Sequence, residues 1–174
     1  MTGVKNQAVS APVLVDVRDA TVRPDVARLE DIYEAHGARL WRAVVLYAGN
    51  REIANDAVAE AFAQALRRGD DLQSPERWIW RTAFRIAAGE LSRRKREATD
   101  LMDAGYETDA ETTELLLALP RLTPKQRVAI ILHYYAGYSL KEVAKITRST
   151  PSAVGVHLYR GRRRLRELLG DDDA

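Results

Sequence analysis

The sequence has no cysteine and no long apolar segment, and each absence excludes whole classes of protein. Because none of its 174 residues is Cys, the chain has no disulfide framework, no thiolate metal site and no cysteine nucleophile. The longest uninterrupted apolar run is the six residues 43–48. A membrane-spanning helix needs about 20 such residues and the core of a signal peptide about 7–15. These absences predict a cytoplasmic protein.

Net charge is also nearly absent, but it is unevenly distributed along the chain. The 27 Lys and Arg residues oppose 25 Asp and Glu residues, which leaves a formal net charge of +2. Residues 97–114 hold seven acidic and no basic side chains, whereas residues 115–170 hold 11 basic and two acidic ones. Blocks of opposite sign in this order suggest two modules separated by an acidic spacer, at least one of which faces a polyanion.

Strand-like alternation is missing after residue 25, where apolar residues instead recur at the three- and four-residue spacing of helices. Helix starts are marked by Ser74-Pro75, by capping boxes at Thr123 and Ser139, and by Thr150-Pro151. The pattern predicts an all-α chain of two small helical domains joined by an acidic linker. The predicted helices cover about residues 25–48, 53–68, 75–95, 114–119, 124–136, 140–146 and 151–169.

The predicted organisation has five parts. They are an N-terminal extension at 1–24, a first domain at 25–96, the acidic linker at 97–113, a second domain at 114–170 and an acidic tail at 171–174. Within the extension, residues 13–17 fit a short strand or a docking segment, but the missing periodicity favours a disordered extension.

The strongest local signal is a helix-turn-helix at residues 139–165, in which a short and a longer capped helix flank a three-residue turn. In such motifs the second helix enters the major groove of DNA. Five cations occur among residues 160–166, whereas the helix macrodipole alone would favour only one or two. The motif therefore predicts duplex binding. The candidate contacts are Lys141, Arg148, Thr150, Ser152, Val156, His157, Arg160, Arg163 and Arg164.

A second basic constellation, residues 78–96 with Arg77 beside it, interleaves aromatic and cationic side chains. Such a surface suits unstacked bases and a phosphate backbone. The alternative is that its aromatic rings complete the core of the first domain, and at least one of Trp78 and Trp80 is expected to do so.

Several segments, taken in order, resemble a known family. They are Asp56–Phe62, Trp78–Ala83, Leu119–Arg127, His133–Ser139, Thr150–Val154 and Leu158–Leu165, with the acidic spacer between the second and third. This order is similar to that of the extracytoplasmic-function (ECF) class of bacterial RNA polymerase sigma factors, in the sigma-70 family. The resemblance covers about residues 25–169.

The resemblance implies a sigma factor with no enzymatic activity and no cofactor or metal. Its implied partners are core RNA polymerase (clamp and flap), promoter DNA and an anti-sigma factor. The helix-turn-helix would read the minus-35 element, and Asp56, Glu60 and Phe62 would contact the clamp. Residues that would bind and melt the minus-10 element are Asp70, Ser74, Arg77, Trp78, Trp80, Arg81, Arg85, Arg93 and Arg94.

The chain departs from the family pattern at five positions. Ala59 replaces the usual Gln of the clamp-binding motif, and Arg85 and Gly89 replace an Asn and an Asp of the melting helix. Arg148 stands at the usual turn Gly, and Gly155 at a basic position of the recognition helix.

Two other function classes fit parts of the sequence. A conventional regulator would combine the same helix-turn-helix with an N-terminal module for dimerisation or sensing, but it needs neither the spacer nor the Asp56–Phe62 helix. A nucleic-acid enzyme needs a carboxylate cluster, a phosphate-binding glycine loop or a nucleophile with its base, and the sequence has none of these. His36, His133 and His157 lie on different predicted helices and do not form a metal set.

Overall fold

The computed structural model describes residues 24–97 and 110–170, and all regular structure in these two stretches is helical. The all-α prediction is confirmed. Short 3-10 turns occur at Gly69–Asp71 and Leu119–Arg121, and a π-helical segment at Ile131–Tyr135. The α-helices are α1 Pro24–Ala48, α2 Arg51–Arg68, α3 Pro75–Glu97, α4 Ala110–Ala118, α5 Pro124–Ile130, α6 Leu140–Thr147 and α7 Pro151–Leu169.

Helices α1, α2 and α3 pack on one another and form the first module. Their close approach depends on α2, whose inner stripe consists largely of alanines that are fully buried. Small side chains at three- and four-residue spacing let neighbouring helix axes come near. These alanines are Ala54, Ala57, Ala61 and Ala65.

Helices α5, α6 and α7 form the second module, and side-chain caps define the start of each. Thr123 and Ser139 open complete capping boxes, as predicted, and the Thr150 hydroxyl accepts a hydrogen bond from the N–H three residues on. Where α5 packs against α7, Gly161 allows the contact, because a Cβ there would lie 3.1 Å from Cγ1 of Ile130.

The turn of the helix-turn-helix holds one residue in a backbone region that disfavours side chains. Arg148 ends α6 with φ 52° and ψ 49°, and it is the one non-glycine residue with positive φ in the described stretches. The left-handed conformation costs a residue with a Cβ about 1–2 kcal/mol. Arg148 therefore occupies a position where glycine is the lower-energy choice.

Arg148→Gly is expected to raise the free energy of unfolding by about 1 kcal/mol relative to Arg148→Ala. Both variants remove the guanidinium, so the difference between them isolates the backbone term. Urea denaturation followed by circular dichroism measures it. Equal stabilities of the two variants would contradict the strained turn.

The end of the α5 segment differs from the continuous helix that the sequence predicts. The N–H of Ala136 donates to the carbonyl of Ile131, five residues back, over 3.0 Å. The N–H of Tyr138 then donates to the carbonyl of Leu132, also over 3.0 Å, and Gly137 takes a positive φ of 77°. This widened turn accompanies burial of Tyr138, which is 9% exposed and faces the first module.

The two modules are packed together in a closed arrangement with one continuous hydrophobic core. The Tyr138 hydroxyl donates to Oε1 of Glu76 over 2.7 Å, and its ring meets Trp80 edge-to-face at 5.2 Å. At a second point Arg127 Nη1 donates to the backbone carbonyl of Tyr47 over 2.8 Å. The interface is therefore built from specific polar and aromatic contacts.

Helix α4 begins at Ala110, four residues before the predicted start and inside the predicted linker. Acidic residues are favourable in the first turn of a helix, so the end of an acidic spacer can become helical. The rest of the predicted linker, residues 98–109, lies outside the described residues, as do the extension up to residue 23 and the tail at 171–174.

Candidate nucleic-acid interface

The outer face of α7 carries most of the residues predicted to contact duplex DNA. Val154 is buried on the inner side of this helix, so residues on the opposite side face solvent. Ser152, Val156 and Arg160 follow at four-residue spacing and are all exposed. Eight of the nine predicted duplex contacts are exposed, and His157 is partly buried.

Two arginines of α7 already have a carboxylate partner. Nη1 of Arg164 lies 3.1 Å from Oε2 of Glu167, and Nε of Arg163 lies 3.2 Å from Oε1. Hydrogen bonds from Arg164 and Arg163 lower the pKa of Glu167. Because exposed ion pairs contribute little stability, both guanidiniums can exchange the carboxylate for a phosphate. Arg160 has no carboxylate partner within the described residues, so it can reach a base edge directly.

The two tryptophans of α3 have different environments. Trp78 is partly exposed, and the guanidinium of Arg68 lies 5.1 Å from its ring centroid. Trp80 is 1% exposed between the first module and Tyr138. The expectation that at least one tryptophan is core is confirmed by Trp80. In this closed arrangement Trp80 cannot contact DNA, because protein covers its ring, whereas part of the Trp78 side chain is exposed.

The segment before α3 contains two further predicted residues, Asp70 and Ser74. Asp70 is exposed in the 3-10 turn that follows α2. Ser74 is partly buried, its hydroxyl accepts a hydrogen bond from Nη2 of Arg77 over 2.9 Å, and its carbonyl accepts from the Trp78 N–H. Polar groups and one aromatic face therefore share the N-terminal end of α3.

The C-terminal end of α3 is cationic, but two of its predicted DNA contacts form ion pairs. Arg93 pairs with Glu90, and Arg94 bonds both Glu90 and Oε2 of Glu52, the latter over 2.8 Å. Hydrogen bonds from Arg93 and Arg94 lower the pKa of Glu90. These groups lie at the surface, where phosphate can compete for them.

A cleft of about 560 Å³ separates α3 from the second module. Arg81 and Arg85 line it from α3, and Arg148 lines it from the end of α6. Burial lowers the pKa of Arg81, and the positive charges of neighbouring guanidiniums, Arg148 foremost, lower it further. The closed arrangement thus brings together cations that the sequence assigned to two separate DNA contacts.

The predicted protein-contact residues lie on α2 and are not among the residues that line this cleft. Asp56 and Glu60 are exposed, and Phe62 is partly buried, with its ring 5.1 Å from that of Tyr33. Hydrogen bonds from Gln64 and then Arg67 lower the pKa of Glu60. The face therefore combines carboxylates with a partly exposed aromatic cluster.

Sequence reasoning missed the residues that hold the modules together. Tyr138 and Glu76 are 62 residues apart, and Arg127 and Tyr47 are 80 residues apart. No local pattern indicates such pairs. Arg127 and Tyr138 did lie in segments that carried the family resemblance, which was the one signal that marked them.

Within residues 24–97 and 110–170 no group of His, Asp or Glu side chains could hold a metal ion. In the same stretches no helix is both long and apolar enough to cross a membrane.

The chain resembles known proteins in sequence. Residues 112–165 match the family model described as "Sigma-70, region 4". RNA polymerase sigma factor SigV of Bacillus subtilis is 27% identical over 147 residues, which are 79% of this chain and 89% of SigV. RNA polymerase sigma factor CarQ of Myxococcus xanthus is 26% identical over 155 residues, 82% of this chain and 89% of CarQ.

Two solved structures have the same fold. One is the sigma factor RpoE in complex with the anti-sigma factor NepR from Bartonella quintana, with a TM-score of 0.65 and 22% identity over 84% of this chain and 97% of that one. The other is CnrH in complex with the cytosolic domain of CnrY, with a TM-score of 0.66 and 22% identity over 84% of this chain and 90% of that one. Both agree with an arrangement of two helical domains.

Proposed function

Because residues 112–165 match the sigma-70 region 4 model and the chain is similar to several sigma factors over about four fifths of its length, we propose that it belongs to the ECF class of the sigma-70 family, binds core RNA polymerase and directs promoter-specific initiation of transcription. The observation that carries this function is the combination within one chain of a capped helix-turn-helix with a separate three-helix module. The helix-turn-helix presents an exposed cationic helix, α7, and the three-helix module presents an aromatic and cationic helix, α3. Such a protein confers recognition and performs no chemistry of its own.

We assign the minus-35 element to the second module, residues 114–170. The exposed side of α7 suits the major groove, in which an arginine can read guanine through two hydrogen bonds. Arg160 is the best placed for this, because it is exposed and has no carboxylate partner within the described residues. Gly155 has no side chain for a base contact, so Ser152 and His157 are left to supply the other contacts.

We assign the minus-10 element to the first module, residues 25–96. Trp78 offers a stacking face for an unpaired base, and Asp70 and Ser74 lie at the same end of α3. Arg81 faces the second module across the cleft. DNA can reach this surface fully only when the modules separate, so we propose that binding to polymerase opens the closed arrangement, with residues 97–113 spanning the RNA exit path.

We propose that the α2 face that carries Asp56, Glu60 and Phe62 binds the clamp of core polymerase. The second module binds the flap. An anti-sigma factor is the proposed negative regulator, since one solved structure with this fold is a complex of a sigma factor with the anti-sigma factor NepR. A function on polymerase and DNA also places the protein in the cytoplasm.

Affinity capture with purified core polymerase tests the proposal. The wild-type chain is expected to associate, and Asp56→Lys is expected to weaken association about tenfold, which corresponds to about 1.4 kcal/mol. The charge reversal places a cation where the acidic face meets the clamp. Titration of labelled protein with core polymerase gives both affinities.

The matched control is Asp31→Lys, since Asp31 is also an exposed acid but lies on α1, outside the proposed contact face. It should bind like the wild type. Sequence-specific DNA binding by the free chain as a dimer, with no association with core polymerase, would instead identify a conventional regulator.

A further inference from the structure

The cleft between the modules gathers positive charge without a counter-charge. Five cations line it, and no Asp or Glu is among its lining residues. Elsewhere on the surface, arginines such as Arg67, Arg94 and Arg164 have glutamate partners. The cleft cations are Arg68, Arg81 and Arg85 from the first module and Lys125 and Arg148 from the second.

From this convergence we propose that the cleft binds a small polyphosphate anion, of the nucleoside polyphosphate class, and that the bound anion holds the two modules closed. Guanidiniums bind phosphate oxygens with short, charge-assisted and often bidentate hydrogen bonds. Repulsion among unpaired cations destabilises an empty cleft, and a bound anion with several negative charges relieves that repulsion. Burial lowers the pKa of Arg81, and the positive charge of Arg148 across the cleft lowers it further.

The size and lining of the cleft indicate the class of ligand. A volume of about 560 Å³ lies within the range of about 300–1,000 Å³ of small-molecule sites. Trp78 lies at the cleft with its ring partly exposed. The Arg68 guanidinium lies 5.1 Å from the centroid of this ring, so a nucleobase that stacks there takes the place of Arg68, while the phosphates extend toward Arg81 and Arg148.

Both modules contribute cations, so a bound polyphosphate bridges them. Binding of the anion then stabilises the closed arrangement relative to the open one. By linkage, a partner that binds only the open arrangement weakens anion binding by the same factor by which the anion weakens binding of that partner. The proposal that the anion binds depends only on the residues of the cleft. Its consequence for transcription rests on the proposed function, because it assumes that promoter and polymerase need the open form.

Isothermal titration calorimetry of the full chain at fixed ionic strength tests the binding. Guanosine triphosphate and inorganic tripolyphosphate should both bind, and guanosine monophosphate should bind at least tenfold more weakly than the triphosphate. A higher affinity for guanosine triphosphate than for tripolyphosphate would show that the base contributes to binding. Single-stranded DNA binding with no binding of either triphosphate compound would overturn the proposal.

Arg81→Ala and Arg148→Gly should each weaken triphosphate binding at least fivefold. Arg148→Gly is informative because a glycine suits the backbone at this position, so loss of binding cannot be attributed to unfolding. The control is Arg162→Ala, an exposed α7 cation outside the cleft with the same change in net charge. If Arg162→Ala lowers triphosphate affinity by the same factor, the anion is attracted by the overall positive charge, and the proposed cleft site is wrong.

A distance measurement tests the bridging. Because the chain has no Cys, spin labels at Arg42→Cys on α1 and Arg166→Cys on α7 are specific to these two exposed positions. Triphosphate should narrow the distance distribution to the closed value, and core polymerase should lengthen it. Binding of triphosphate without a narrower distance distribution would overturn the proposal that the anion bridges the two modules. The calorimetry needs no polymerase, so its failure is distinguishable from failure to associate with core polymerase.

Discussion

Trp80→Ala is expected to lower the free energy of unfolding by about 3–5 kcal/mol, the range for removal of a buried large aromatic side chain. Trp80 is 1% exposed, its ring stacks on Phe84 at 6.3 Å, and Tyr138 of the second module meets it at 5.2 Å. The truncation therefore leaves a cavity where the cores of both modules join. Equilibrium denaturation with urea measures the loss.

Two further variants keep this prediction testable. Trp80→Phe should lose much less stability, because an aromatic ring still faces Tyr138 and because the buried Nε1–H, which has no partner, is removed. Trp78→Ala should cost less than Trp80→Ala, since Trp78 is partly exposed, but should impair promoter melting more. A Trp80→Ala loss no larger than that of Trp78→Ala would contradict the shared core.

Arg127→Lys is expected to destabilise the protein by about 3 kcal/mol, although it keeps the positive charge. The guanidinium is partly buried and donates to three backbone carbonyls, those of Tyr47, Pro120 and Leu122. Hydrogen bonds from charged groups contribute about 1.5–3 kcal/mol each. A lysine ammonium is a compact point charge without the planar fork that reaches several acceptors at once, so at least one carbonyl loses its donor.

The effect of Arg127→Lys should also extend to the module interface, because the Tyr47 carbonyl belongs to α1. We expect a broader distance distribution between labels on α1 and α7 than in the wild type. Arg121→Lys is the control, since Arg121 is exposed and close in sequence. If both lysine variants unfold at the same urea concentration, the hydrogen bonds of Arg127 do not hold the modules together.

Elements with local signals were predictable from the sequence. The capping boxes at Thr123 and Ser139 and the cap at Thr150 each involve atoms three residues apart, so a short motif contains the whole interaction. The inner face of α7 follows from the spacing of Val154 and Leu158, both buried as expected.

Features that depend on distant partners were not predictable in this way. Trp78 and Trp80 are similar in sequence context, but Trp80 contacts both Phe84 and Tyr138, which is remote in the chain, and is a core residue. The π-helical turn before Gly137 occurs together with the packing of Tyr138 on the first module. The cationic cleft likewise arises from the docking of Arg148 opposite Arg81, which the spacing of neither residue implies.

Arg148 shows how a departure from a family pattern becomes interpretable with coordinates. The sequence marked it as an unusual residue at a turn, and the backbone there has the positive φ that favours glycine. A side chain is retained despite that cost and faces the cleft. A charge kept at a strained position agrees with a role in the cleft.

The central claim is that this chain directs core RNA polymerase to promoters. Transcription of genomic DNA from the source organism by core polymerase, with and without the protein, tests it most directly when the 5′ ends of the transcripts are sequenced. We predict a limited set of new start sites that share two upstream sequence elements at constant spacing. The same start sites with and without the protein would contradict the claim.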